Sequence, residues 1–284
     1  MCIRPIYKNY RTENGKIKID WKSNGLKSID KLVIKLPCGQ CTECQRKRSA
    51  EWATRCLLEA REHKDNCIVT LTYRKTDGIL CKRDYQLFLK NLRKKLYPQK
   101  IKYFCAGEYG KKGGRPHFHI IFFGYRPKDL ILQTRDGIGT QLYGSRELET
   151  LWGHGFISVG DLSYKSCLYS AKYLQKSVYD KCKKEGIQPP FIAMSKGIAQ
   201  KAAYKVDYNV DRIYINGKAY LPPRYFDKLQ EKEGVDLSEV KEKRKRSDIY
   251  LCNWSTNLPS IEEVREAENT ERVKDYNEKN FTKY

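Results

Sequence analysis

Hydrophobic positions along the chain switch between a period of two and a period near 3.6, the signature of interleaved strands and helices. Lys16-Ile17-Lys18-Ile19-Asp20-Trp21 alternates behind Asn14-Gly15, which predicts an N-terminal hairpin. From about Gln45 to Lys64, the residues Trp52, Ala53, Cys56, Leu57 and Ala60 fall on one helical face. Cys67 to Tyr73 (CIVTLTY) is short and rich in β-branched residues, so it reads as a buried strand. A second helix is predicted from about Arg83 to Leu96, with Leu87, Phe88, Asn91, Leu92 and Leu96 as its stripe. Lys102 to Glu108 reads as a strand and Tyr109 to Pro116 (YGKKGGRP) as a glycine-rich turn. His117 to Phe123 (HFHIIFF) is a strand apolar on both faces, which predicts a central place in a sheet.

The second half is less regular. A short helix is expected at Arg146 to Leu151, a strand at Phe156 to Gly160 and a helix at Ser163 to Tyr179. A Lys-rich, Pro-interrupted region follows, then a hairpin at Arg212 to Leu221 around Asn216-Gly217. Beyond about Lys228 the chain is highly charged. It holds a basic run, Lys241 to Arg246, and a capping-box pattern, Ser260-Ile261-Glu262-Glu263, opening a terminal helix. No fixed-period repeat is present, which excludes solenoids and propellers.

Charge changes the picture most. Among 284 residues, 56 Lys and Arg face 34 Asp and Glu, a formal net charge of +22. Such an excess suits a polyanionic partner, nucleic acid first, with a solvated Lys-rich surface as the plain alternative. No run of ~18–20 apolar residues exists, and no basic amphipathic helix stands apart at either terminus, so no membrane partner is expected. The 21 tyrosines and an aromatic share of 12% exclude a collagen-like or wholly disordered chain. Eleven cysteines, an odd number, do not suggest a disulfide framework, and MCIRPIYKNY has no apolar leader. Free thiols in a reducing cytoplasm are the expectation. Cys56, Cys67, Cys105 and Cys167 lie in apolar patterns and read as small core residues.

Only four histidines occur, and two of them, His117 and His119, sit two apart on a predicted strand. A strand's side-chain period is two, so both imidazoles face one way, a natural pair of ligands for a divalent metal. Two partly buried histidines hydrogen-bonded to neighbours fit the same spacing. The turn at YGKKGGRP would bring Glu108 back beside His117, because residues flanking a hairpin turn oppose each other. Two imidazoles and one carboxylate form a facial set with positions open for water and a phosphate oxygen. Downstream, Tyr169 and Tyr173 are four apart on a helix and share a face. Each is followed three residues later by a lysine, Lys172 and Lys176, so Tyr-x-x-Lys occurs twice in succession. Tyrosine can act as a covalent nucleophile, and a nearby cation favours both its phenolate and the phosphate it attacks. Aromatic packing with ordinary surface lysines is the alternative. His154, in Trp152-Gly153-His154-Gly155, reads as a turn residue.

A separate cluster, Cys38, Cys41 and Cys44, has C-x-x-C-x-x-C spacing in Pro37-Cys38-Gly39-Gln40-Cys41-Thr42-Glu43-Cys44. Three thiolates could converge on a structural zinc ion, with Cys2 as the fourth ligand reached through the first hairpin. An iron–sulfur cluster and a set of free thiols remain as alternatives.

The strings HFHIIFFG and YSAKYLQK together resemble the HUH endonucleases, most of all the replication initiation proteins of microviruses, the gokushovirus-like single-stranded DNA phages. Val69 to Tyr73, the Cys cluster and Gly107-Glu108-Tyr109-Gly110 also look like strings of that group, and the likeness spans roughly Cys2 to Tyr225. It implies an α/β (α+β) sandwich of the ferredoxin-like kind, a central antiparallel sheet flanked by helices. It also implies Mg²⁺ or Mn²⁺ held by Glu108, His117 and His119, polarising a scissile phosphate. Tyr169 or Tyr173 would attack that phosphate, leaving a 5′-phosphotyrosyl link and a 3′-OH that primes rolling-circle synthesis; the second tyrosine would cut the regenerated origin. Lys172 and Lys176 would neutralise phosphate charge or protonate the leaving oxygen. The implied partners are single-stranded origin DNA and the host replication machinery. A host helicase is included, since no G-x-x-x-x-G-K-[ST] string is present. The implied place of action is the cytoplasm of the infected bacterium. Expected divisions are 1–64 (hairpin, Cys cluster and helix), 65–227 (nuclease core) and 228–284 (charged peripheral tail). The rivals are a transposase or plasmid initiator of the same chemistry, and a non-catalytic zinc-containing nucleic-acid binder.

Overall fold

A computed structural model describes residues 2, 4–13, 16–22, 32–110, 114–135, 141–171, 182–205, 212–215 and 217–244. They fall into two compact units, one up to residue 47 and one from residue 48. In the first, strands β1 (Ile6–Glu13), β2 (Lys16–Asp20) and β3 (Leu32–Leu36) form an antiparallel sheet in the order β2-β1-β3. Glu13 opposes Lys16, the tight register expected of the hairpin at Asn14-Gly15, two residues outside the described set. Strand β3 was not marked by the sequence pattern. Its Leu32 and Val33 are exposed, so burial never imposed an alternation.

Helix α1 (Thr42–Ala60) runs into the second unit, whose seven-stranded sheet is built from β4 (Asn66–Tyr73), β5 (Lys102–Tyr109), β6 (Pro116–Phe123), β7 (Leu130–Arg135), β8 (Gln141–Ser145), β9 (Gly155–Gly160) and β10 (Phe191–Met194). The order is β10-β5-β6-β4-β9-β8-β7, with every pairing antiparallel. The central antiparallel sheet flanked by helices is therefore present. β6 lies between β5 and β4, as its two apolar faces require.

Period-two alternation splits this sheet between two cores. Phe118, Ile120 and Phe122 of β6 join Cys67, Val69, Leu71 and Tyr73 of β4 on one face. Helices α2 (Lys82–Leu96) and α3 (Arg146–Trp152) cover that face through Tyr85, Phe88, Leu92, Leu148 and Trp152. Ile121 and Phe123 point the other way, toward Ala53, Cys56 and Leu58 of α1. The same layer includes α4 (Tyr164–Ala171), α5 (Gln200–Lys205), α6 (Arg224–Lys232) and the small hairpin β11 (Ile213–Ile215) and β12 (Lys218–Tyr220). The histidine pair belongs to this second face.

Local chemistry sets the ends that matter. Helix α3 starts where the Ser145 hydroxyl accepts from the Leu148 N–H and stops at Gly153, whose φ of +67° suits glycine. Helix α4 opens with a reciprocal serine cap: Ser166 N–H donates to Ser163 Oγ at 3.1 Å, and Ser163 N–H to Ser166 Oγ at 2.8 Å. Of the helix expected over Ser163 to Tyr179, only the part to Ala171 is among the described residues. The run Lys241 to Arg246 is described as far as Arg244, and the charged helical tail with the Ser260 capping box lies outside the described residues.

β5 lies unusually close to the edge strand β10. A Cβ added to Gly107 would stand 2.6 Å from Phe191 Cε1, so the Phe191 ring occupies the space a side chain at position 107 would need.

Candidate active site

The β5–β6 hairpin sets the site. Glu108 opposes His117, and Ala106 opposes His119. Opposed residues in antiparallel strands share a face, so Glu108 and both imidazoles meet on the α4 side of the sheet. The two nearest ring nitrogens converge on one carboxylate oxygen: His117 Nε2 is 2.5 Å and His119 Nε2 2.9 Å from Glu108 Oε1. The imidazole centroids are 4.9 Å apart at 89°.

Both rings are held from behind. His117 Nδ1 lies 3.0 Å from the Arg115 carbonyl oxygen, which only accepts, so Nδ1 carries a proton and Nε2 faces the carboxylate. His119 Nδ1 lies 2.9 Å from Thr70 Oγ1 on β4. This hydrogen bonding to the distal ring nitrogen is the arrangement that orients metal-binding histidines. Thr70 escaped the sequence reading. It stands in an apolar strand, and only the β4–β6 register, Thr70 opposite His119, gives it a role.

Glu108 is buried, and its Oε2 has no hydrogen-bond partner among the described residues. A buried carboxylate oxygen with no donor is costly unless a cation or water takes it up. One oxygen and two imidazole nitrogens, all within 4.8 Å of one another, therefore fit a divalent cation with positions left open.

Burial opposes charge on His117. The hydrogen bond and negative charge of Glu108, with the Arg115 carbonyl, outweigh it and raise the imidazole above its usual value of 6.5. The sign follows: His117 binds its proton more tightly folded than unfolded. Its stabilising contribution is full below the ordinary imidazole range and fades as pH rises through the elevated folded value. Thermal melts in EDTA are expected to show metal-free protein losing stability across that rise. His117→Gln is expected to flatten the dependence, and an unchanged slope in that variant would assign it elsewhere.

Tyr169 approaches from α4. Its ring centroid is 5.1 Å from that of His119, at 83°, and the residue is 36% exposed. The buried neighbours Cys167, Ser170 and Ala171 seat the helix. Ser49 of α1 donates to the Ala171 carbonyl at 3.0 Å and fixes its far end. Lys172, Tyr173 and Lys176 lie outside the described residues. His154 occupies a turn, its carbonyl accepting from the Arg74 N–H at 2.9 Å, and its ring packs on Trp152 with centroids 4.8 Å apart.

In the first unit, the sulfur atoms of Cys2, Cys38, Cys41 and Cys44 all lie within 4.8 Å of one another. Cys2 Sγ is 3.8 Å from Cys41 Sγ. Gly39, with φ of +72°, turns the chain so that the N–H groups of Gln40 and Cys41 reach Cys38 Sγ at 3.5 and 3.3 Å. Cys38 N–H in turn reaches Cys2 Sγ at 3.3 Å. Burial and the neighbouring thiols push Cys44 up to about 12, so an ion entering here would displace protons. The buried Cys56, Cys67, Cys105 and Cys167 belong to the cores.

Comparison with known proteins supplies the family. The model of the replication-associated protein ORF2 family matches residues 66–178, a span that holds β4, the β5–β6 hairpin and α4. The chain is 33% identical to the replication-associated protein ORF4 of Chlamydia phage 1, over 82% of this chain and 63% of that protein. It is 32% identical to the replication-associated protein ORF2 of Spiroplasma virus 4, over 86% of each. It is also 32% identical to the replication-associated protein VP4 of Bdellovibrio phage phiMH2K, over 62% of this chain and 58% of that protein. The chain thus spans less than two thirds of the Chlamydia and Bdellovibrio phage proteins. No solved structure matches it. With the Spiroplasma virus protein aligned along most of both chains, and the family span coinciding with the strands and helix of the site, the chain belongs to the microvirus-like family of phage replication-associated proteins.

Proposed function

We propose that this chain initiates rolling-circle replication as a site-specific single-strand DNA endonuclease and strand transferase. The observation that carries the reading is the Tyr169 ring standing 5.1 Å from His119, on the face where Glu108, His117 and His119 converge. Mg²⁺ or Mn²⁺ bound by those three residues would supply Lewis-acid polarisation of the scissile phosphate. The phenol oxygen of Tyr169 attacks phosphorus; an O–P bond forms and the P–O3′ bond breaks. The products are a 5′-phosphotyrosyl link and a 3′ oxygen, which takes the proton the phenol gives up and then primes synthesis. Lys172 and Lys176 are assigned to neutralising the phosphate and passing that proton. Tyr173 is assigned the second cut, after which the 3′-OH of the displaced strand attacks the tyrosyl phosphate and closes the circle. Thr70 and the Arg115 carbonyl hold the two rings in position.

The test is covalent capture. A labelled origin-strand oligonucleotide with Mn²⁺ is expected to give a shifted adduct on a denaturing gel, absent from the Tyr169→Phe, Tyr173→Phe double variant. Tight binding without an adduct on any origin strand would favour the non-catalytic binder. The substrate in this reading is single-stranded origin DNA in the host cytoplasm, with a host helicase doing the unwinding. Among the described residues no helix is long and apolar enough to cross a membrane.

Cys2, Cys38, Cys41 and Cys44 are assigned to a structural zinc ion. Four thiolates at about 2.3 Å from one ion stand about 3.8 Å apart, and the Cys2–Cys41 separation of 3.8 Å supports that reading. Purified protein is expected to carry one zinc per chain by mass spectrometry, and Cys41→Ser to lose it and melt at lower temperature. Visible charge-transfer absorption with bound iron would instead assign an iron–sulfur cluster.

A further inference from the structure

The sheet's open end carries a feature that neither the metal ligands nor the tyrosine explains. Glu108, His117, Thr72 and Phe156 stand opposite one another in a single row across β5, β6, β4 and β9. Opposed residues share a face, so Phe156 points to the same side as the ligands. Two strand spacings separate it from His117, about 10 Å. Helix α4 packs on β5 and β6, while Phe156 remains 48% exposed. Its neighbours in β9, Ile157 and Val159, are buried in the opposite core.

A lone exposed phenylalanine is ordinary; this one has a cationic surround. The Arg74 guanidinium lies over its ring, 4.9 Å from the centroid. Arg74 also lines a cavity of about 610 Å³, together with Lys75, Arg146, His154 and one carboxylate, Glu149. Among the described residues no ion pair engages Arg74, Lys75 or Arg146. Three unneutralised cations around a cleft attract phosphate, and an exposed ring beside them offers a π-face to any base.

We infer that Phe156, with Arg74, Lys75 and Arg146, forms a subsite for an unpaired nucleotide of the DNA strand adjoining the Glu108–His117–His119 site. The base stacks on Phe156 and the backbone phosphate enters the basic cleft, so the strand crosses the sheet along the row that ends at the metal ligands. Stacking reads any base but requires it unpaired, which selects for a melted strand. The inference rests on the reading of the chain as a handler of single-stranded DNA, and is independent of its covalent chemistry.

Fluorescence anisotropy with a labelled origin-strand oligonucleotide, in EDTA so that no cutting occurs, tests it. Phe156→Ala is expected to weaken binding about 5- to 150-fold, the range for one stacked base, and Phe156→Trp to restore it. Replacing Arg74, Lys75 and Arg146 together by Ala is expected to reduce the slope of log affinity against log salt by about 2, at about 0.7 per phosphate contact on a single strand. Circular dichroism melts of each variant report folding separately. Binding by folded Phe156→Ala within twofold of the parent, or an equal loss on duplex DNA of the same sequence, would overturn the subsite. Failure of the adduct assay with these binding losses intact would sink the nuclease reading alone. An adduct formed at parental affinity by Phe156→Ala would sink the subsite alone.

Discussion

Glu108→Gln is expected to slow Mn²⁺-dependent adduct formation by about 10²–10³-fold, the usual loss when one preorganised electrostatic contact is removed from a reacting centre. The substitution keeps the shape of the side chain and an oxygen for the two imidazoles, which both point at Glu108 Oε1. What it removes is the only negative charge of the ligand set. Two imidazoles without a carboxylate hold a hard divalent cation weakly, because Mg²⁺ and Mn²⁺ favour charged oxygen. Titration calorimetry with Mn²⁺ on the Tyr169→Phe, Tyr173→Phe background separates binding from chemistry and is expected to show the affinity loss directly. Parental Mn²⁺ affinity in Glu108→Gln would remove Glu108 from the ligand set. Lost affinity with parental turnover at saturating Mn²⁺ would confine its role to holding the ion.

Phe118→Ala is expected to be the most destabilising single change near the site, at about 3–5 kcal/mol. Phe118 lies between the two histidines in sequence but points into the opposite core, fully buried. Its ring centroid lies 5.6 Å from Tyr85, 5.9 Å from Trp152, 6.1 Å from Tyr73 and 6.2 Å from Phe191. Four aromatic rings from α2, α3, β4 and β10 cannot all close on the vacated space, so the cavity term adds to the lost transfer energy. Urea denaturation measures it; a loss below about 1 kcal/mol would mean the cluster collapses freely. Phe156→Ala, on the exposed side of the same sheet, is expected to change stability by less than about 0.5 kcal/mol. The contrast distinguishes the sheet's packing face from the face assigned to substrate.

The part of the fold that holds this site was legible in the sequence because burial wrote it there. β4, β5 and β6 are buried on both faces or strictly alternating, and the turn at Tyr109 to Pro116 fixes the partner of Glu108 by length alone. β7, β8 and β10 were missed for the opposite reason. They lie toward the sheet's edges, their residues are mixed or only partly buried, and β10 has four residues directly behind Pro189-Pro190. The approach of Cys2 to Cys38, Cys41 and Cys44 depends on a path through β1, β2 and β3 that no local pattern encodes. Thr70 and Phe156 were present in predicted strands, yet their place beside the histidines exists only in the inter-strand register, a long-range property. Tyr169 announced itself through helical spacing, since i and i+4 on a helix need no tertiary information.

The close packing of Phe191 on Gly107 couples two positions distant in the chain. A methyl group at 107 and a phenyl ring at 191 cannot coexist without pushing β10 off the sheet. The residue after 107 is the carboxylate on which both imidazoles converge. Among descendants of this sequence, alanine at 107 should therefore arise only after the aromatic at 191 has shrunk, which makes an edge strand far from the chemistry a gatekeeper of how the site can diverge.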